Sequence, residues 1–203
     1  MKLIKNHIIK KETILLAGDY AFDGQRCTRI VEGRNVFLIA QSPKSTINDS
    51  LKYIGSSLKG AIESARFLLG IRKLCPIMVN PMNDVCLFPL HSPDSDYNIW
   101  FNPAHIIKAV PHKHHSIVHL SNGYFIEVDL KLPLLNTRIH NANQLRRLTR
   151  FYSRGNYDVC KEPDEYSLLT REKNGRYNFH ILENAENTEA SHGQTSVQNQ
   201  ETV

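Results

Sequence analysis

The sequence predicts an α+β fold, a mostly antiparallel β-sheet with two main amphipathic helices at about 57–69 and 136–152 and a polar C-terminal tail. Three observations predict it. Short apolar runs alternate with Gly-, Asn- and Pro-bearing links over residues 12–130. Two segments repeat their apolar residues at three- and four-residue spacing. Beyond Leu182 large apolar side chains all but vanish.

Taken in order, residues 13–17 (TILLA), 28–31 (TRIV) and 35–40 (NVFLIA) read as strands separated by Asp23-Gly24 and Glu32-Gly33. The link Gly33-Arg34 has the two-residue length of a tight hairpin. Residues 41–49 are polar and contain Pro43, which predicts a loop, and 49–54 a short strand or turn. Leu58, Ala61, Ile62, Ala65, Leu68 and Leu69 then form a helical stripe, with Ser56 or Ser57 as the N-cap and Gly70 as the stop. A helix start behind Gly55, Ser56 and Ser57, with Lys59 beside it, is either a plain cap or an anion site.

Residues 76–79 and 85–90 predict paired strands, with Pro76 and Pro89 at their ends, where a missing N–H does little harm. Residues 99–110 are extended and interrupted by Pro103. The clearest hairpin joins 116–121 to 124–130 through Asn122-Gly123, the pair that suits a type I′ turn. That turn would set His119 opposite Ile126 and Ile117 opposite Val128. The second helix buries Ala142, Leu145, Leu148 and Tyr152 and turns Arg146, Arg147, Arg150 and Arg154 to the far side. Residues 166–170 and 176–182 predict a terminal hairpin through Asn174-Gly175. Residues 183–203 form a tail too polar to fold, so the domains are 1–182 and 183–203.

The 203 residues, 41% of them hydrophobic, suffice for a proper core. Four of the 20 acidic residues lie beyond Ile181, where there is no Lys or Arg, leaving 25 cations against 16 carboxylates on residues 1–181. A body this basic suits a polyanionic partner. The first twenty residues interrupt their apolar positions with Lys5, Asn6, His7, Lys10 and Lys11, so no secretory core forms there. With no apolar run of bilayer length, the expectation is a cytoplasmic, nucleoid-associated protein with no membrane partner.

Catalytic patterns are missing. Cys27, Cys75, Cys86 and Cys160 form no CxxC pair and read as structural thiols, although a Cys75–Cys86 disulfide is sterically conceivable. His112, His114 and His115 cluster with Lys113 in a loop but lack a third-ligand pattern, and neither a nucleophile elbow nor a phosphate loop is present. The expectation is no enzyme, no metal and no cofactor.

Gly55-Ser56-Ser57, Pro76-Ile77-Met78-Val79, Asp84 through Leu87-Phe88-Pro89, Trp100, and Ser121-Asn122-Gly123 with Glu127 together resemble the ComK family of competence transcription factors, over most of residues 12–182. The resemblance implies an activator of DNA-uptake and recombination genes. It would bind paired A-run/T-run boxes in double-stranded promoter DNA, chiefly through the minor groove, as a homodimer or dimer of dimers, with RNA polymerase as a further partner. It also implies an adaptor of the Clp protease as a partner, although the matching segment 165–173 (EYSLLTREK) departs from the family and keeps aromatic and apolar character only at Tyr166, Leu168 and Leu169. The resemblance names no contact residue. Physical reasoning offers Arg146, Arg147, Arg150 and Arg154 first, and Lys59, Arg66, Arg72, Lys73, Lys113 and His114 as lesser phosphate or groove contacts. The competing reading is a protein-interaction module without sequence-specific DNA binding.

Overall fold

In the computed structural model, residues 3–21, 23–93, 95, 97–155, 169–173 and 175–178 are described. Short strands build a seven-stranded sheet in the order β1-β4-β3-β2-β7-β6-β5, from β1 (Leu3–Ile4), β2 (Thr13–Tyr20), β3 (Arg26–Glu32), β4 (Asn35–Ile39), β5 (Ile77–Asn80), β6 (Val85–Pro89) and β7 (Ile99–Phe101). All neighbours are antiparallel except β1, which runs parallel to β4. A second, three-stranded sheet holds β8 (Ile106–His112), β9 (His115–Leu120) and β10 (Phe125–Val128), in the order β10-β9-β8.

Register sorts the core into two layers. Leu15 pairs with Phe101, which pairs with Phe88, and these three share one face with Cys86. Leu16 pairs with Trp100 on the other face, beside Ile30, Leu87 and Ile77. Both faces of β6 are therefore covered, and all five of its residues are buried. The first face lies under α3 (Leu132–Tyr152) and the three-stranded sheet, through Leu135, Ala142, Leu145, Val118, Leu120 and Val128. The second lies under α1 (Pro43–Lys52) and α2 (Leu58–Leu69), through Ile47, Leu51, Leu58 and Ala61. Ala65 of α2 belongs to the first layer, so α2 reaches both.

Three expectations are corrected. Residues 43–52 are a helix, which replaces both the loop expected at 41–49 and the first part of the short strand or turn expected at 49–54: Ser42 accepts the Ser45 N–H as N-cap, and Pro43 occupies the first turn, where its lost N–H costs nothing. The buried stripe of α1 mixes Ile47 and Leu51 with Thr46 and Ser50. Those hydroxyls donate to the carbonyls of Ser42 and Thr46, which hides the apolar period from a count of hydrophobic residues. The last helix starts at Leu132, with Pro133 again in the first turn, rather than at 136.

The Asn122-Gly123 hairpin also differs. Gly123 has φ +85 but Asn122 is not left-handed, and the Gly123 N–H donates to the Leu120 carbonyl. The loop is thus one residue longer than a type I′ link, and the register moves by one: His119 faces Phe125 and Val118 faces Ile126. A one-residue slip exchanges which residues share a face. Here it places Ser116, Val118, Leu120, Ile126 and Val128 inward together. Asn122 is used otherwise, its amide donating to the Gly33 carbonyl at 2.7 Å and so tying this turn to the β3–β4 link.

Of the terminal hairpin, the described residues hold an antiparallel bridge between Arg171 and Tyr177 across Gly175, within a unit spanning 157–203. The rest of that hairpin and the tail at 183–203 lie outside the described residues. Among the described residues no helix is long and apolar enough to cross a membrane.

Candidate nucleic-acid interface

The arginines of α3 do not form one free face. Asp84 sits in the β5–β6 turn at φ +56, a conformation that Asp tolerates better than most residues. Its Oδ1 accepts from Arg146 Nε at 3.2 Å, and its Oδ2 accepts from both Arg146 Nη2 and Arg150 Nη2, the latter at 2.6 Å. Arg146 Nη1 donates to Asn143 Oδ1, so this guanidinium is engaged on every side, and its side chain is only 20% exposed. Arg146 and Arg150 therefore bolt α3 to the β5–β6 turn through one carboxylate. Arg147 and Arg154 are exposed and form no ion pair among the described residues.

Four of the lesser candidates meet elsewhere. An open groove of about 590 Å³ runs between α1 and α2, lined by Lys44, Asn48, Leu58, Lys59, Ile62, Glu63 and Arg66. Through Lys44, Leu58, Ile62 and Arg66 it continues into a second hollow bordered by Arg72, Lys73 and Pro93. Five cations thus border an apolar floor of Leu58 and Ile62, with Glu63 as the single carboxylate among the lining residues. Lys59 and Arg66 stand two turns apart on the exposed side of α2, about 10 Å along its axis. Beyond Lys44 a third hollow is bordered by both Asp19 and Arg26. The Arg29 guanidinium, together with the Tyr20 N–H, holds that carboxyl below the usual range, so it stays ionised.

Lys44 is not among the sequence candidates, because residues 41–49 read as a loop and only helix α1 turns it toward the groove. Ser42-Pro43 was the available signal, an N-cap followed by a first-turn proline.

The Gly55-Ser56-Ser57 run is a pair of caps. Gly55 at φ +72 closes α1, with the Ser56 N–H donating to the Leu51 carbonyl. Ser57 Oγ accepts the Gly60 N–H, and Asn48 Oδ1 accepts the Leu58 N–H. These amides are already used, and Lys59 points its charge to the groove rim instead.

Lys113 and His114 are the tip of a tight β8–β9 hairpin closed by the pair His112 and His115, with Lys113 at φ +53. They lie on the three-stranded sheet and do not line the α1–α2 groove. Cys27, Cys75 and Cys86 are free and buried, so the Cys75–Cys86 disulfide does not form. Burial pushes the Cys86 thiol far up, and its Sγ lies 3.7 Å from the Ala142 carbonyl under α3. Among the described residues no group of three or more His, Cys, Asp or Glu is placed to hold a metal ion.

The family model described as ComK protein matches residues 4–152. A competence transcription factor of Bacillus subtilis (strain 168) is 27% identical over 165 residues, covering 79% of this chain and 84% of that protein. No solved structure matches. The match spans both sheets and all three helices, and the chain belongs to the ComK family.

Proposed function

We propose that this protein is a competence transcription factor that activates genes for DNA uptake and recombination, binding paired A/T-rich boxes in double-stranded DNA through the minor groove as a homo-oligomer. The observation that carries the DNA part is the α1–α2 groove and the hollow that continues it, which Lys44, Lys59, Arg66, Arg72 and Lys73 border with Glu63 as the one carboxylate among the described lining residues. Cations spaced along a groove neutralise successive phosphates and release counterions, which gives affinity without base contacts. Runs of A and T narrow the minor groove and deepen its negative potential, so long Lys and Arg side chains distinguish them from G·C by width and charge. A helix laid in the major groove is not needed for such reading. This suits a fold in which α2 is followed by β5 and α3 is held by Asp84. The activator role rests on family membership and on the named relative.

The test is binding of the purified chain to a duplex with two A-run/T-run boxes and to a G·C-substituted control, over a range of salt. Preference for the boxed duplex, falling steeply with log salt, supports the reading. Equal weak binding to both overturns it and leaves a protein-interaction role.

A further inference from the structure

The three-stranded sheet has an outer face that the DNA reading does not use. Its register arranges nine residues as a grid of three rows across β8, β9 and β10. The first row is Lys108, His119 and Phe125, the second Val110, Ile117 and Glu127, and the third His112, His115 and Asp129. The alternate residues, Ser116, Val118, Leu120 and Val128, are buried. Exposure on the outer side is high at the corners: Phe125 is 64% exposed and the Asp129 side chain 85%. His119 meets the Phe125 ring edge-on at 4.5 Å, and His115 Nδ1 lies 3.3 Å from Asp129 Oδ1.

Charge on this grid is sorted by strand. The β8 column carries the cation Lys108 and the imidazole of His112 with no carboxylate, the β10 side carries the carboxylates Glu127 and Asp129, and Ile117 sits at the centre. Such a face is complementary to itself. A two-fold axis along the strands lays β8 of one copy over β10 of the other and β9 over β9. Rows then meet matching rows: Ile117 meets Ile117, Lys108 lies over Phe125 within reach of Glu127, and His112 lies over Asp129. Aligned sheets pack in this way with their facing side chains interleaved, and a two-fold contact uses one patch twice. A polyanion fits less well, because Glu127 and Asp129 would face its phosphates.

We propose that the outer face of the β8–β10 sheet is a self-association surface, where a second copy of this chain docks face to face with Lys108 and His112 against Glu127 and Asp129. The proposal deepens the proposed function, whose paired boxes require more than one copy, and rests on it for the use of the dimer. Nine residues a side is well below the 20–30 of a standard interface, so the contact is weak, with dissociation in the micromolar range.

The experiment is sedimentation of the full chain up to about 100 µM, a range set by that interface size, for wild type, Lys108→Glu, Glu127→Lys and the double exchange. All sites are exposed, and melting temperatures verify that each variant folds. Wild type is expected to associate, each single variant to weaken association about tenfold by setting like charges face to face, and the double exchange to recover most of the loss. A wild type that stays monomeric, or a double exchange as weak as the singles, overturns the proposal. Binding of the same proteins to the boxed duplex separates the two readings. Lost DNA preference with intact association removes the DNA function alone. If Lys108→Glu weakens DNA binding while association is unchanged, the face belongs to DNA and the proposal fails.

Discussion

Arg146 and Arg150 on α3 and Lys59 and Arg66 on α2 are the same signal in the sequence, cations set off the apolar stripe of a helix, yet they end in opposite circumstances. The β5–β6 turn brings Asp84 under α3, where Arg146 donates to it through two nitrogens and Arg150 through one. On α2 the lone carboxylate, Glu63, sits among five cations gathered from α1, α2 and the segment after Gly70. Availability of a cation is thus decided by which carboxylate the topology delivers, and spacing within a helix is silent on that. The denser cluster in the sequence is largely structural, and the scattered one makes a surface.

The largest expected effect comes from reversing charge in the groove. Lys59→Glu with Arg66→Glu is expected to lower affinity for the boxed duplex about 100-fold or more and to reduce the salt slope by about two, with melting unchanged because both side chains are exposed. Anisotropy titrations at several salt concentrations measure it, and an unaltered affinity would break the comparison. Next is Asp84→Asn, which keeps a residue tolerant of the left-handed turn while removing the charge. It is expected to cost about 1–3 kcal/mol of stability by denaturant titration, since the Arg146 guanidinium is mostly buried. DNA affinity of the folded protein should not fall.

Lys44→Ala tests the residue that only the fold reveals. A loss of about three- to tenfold in DNA affinity, with a slope change near one, is expected for a single phosphate contact. Smallest is Arg147→Ala with Arg154→Ala, expected to change stability by less than about 0.5 kcal/mol and DNA affinity by no more than about twofold. A large loss of DNA affinity there would move the interface to α3.

Much of the fold was legible because its strands are short, apolar and punctuated, and because α2 shows a clean period closed by Gly70. α1 was not legible: two of its inward positions are Thr46 and Ser50, buried only because their hydroxyls bond back to the helix. The register of the β9–β10 hairpin was not legible because Asn122 is not in the left-handed position a type I′ turn needs: its Oδ1 accepts the Tyr124 N–H within a longer turn, and its amide reaches the Gly33 carbonyl 89 residues away. The candidate site was half legible. Lys59, Arg66, Arg72 and Lys73 stand out in the sequence, but their convergence with Lys44 depends on helix α1, and the pairing of Arg146 and Arg150 with Asp84 is a long-range contact that spacing along the chain does not reveal.

The central claim is that the α1–α2 groove, and not the arginine face of α3, holds DNA. The most direct measurement compares the dependence of log affinity on log salt, on the boxed duplex, for wild type, Lys59→Ala with Arg66→Ala, and Arg147→Ala with Arg154→Ala. The account predicts a slope shallower by about two for the groove pair and a wild-type slope for the α3 pair. The reverse pattern would contradict it.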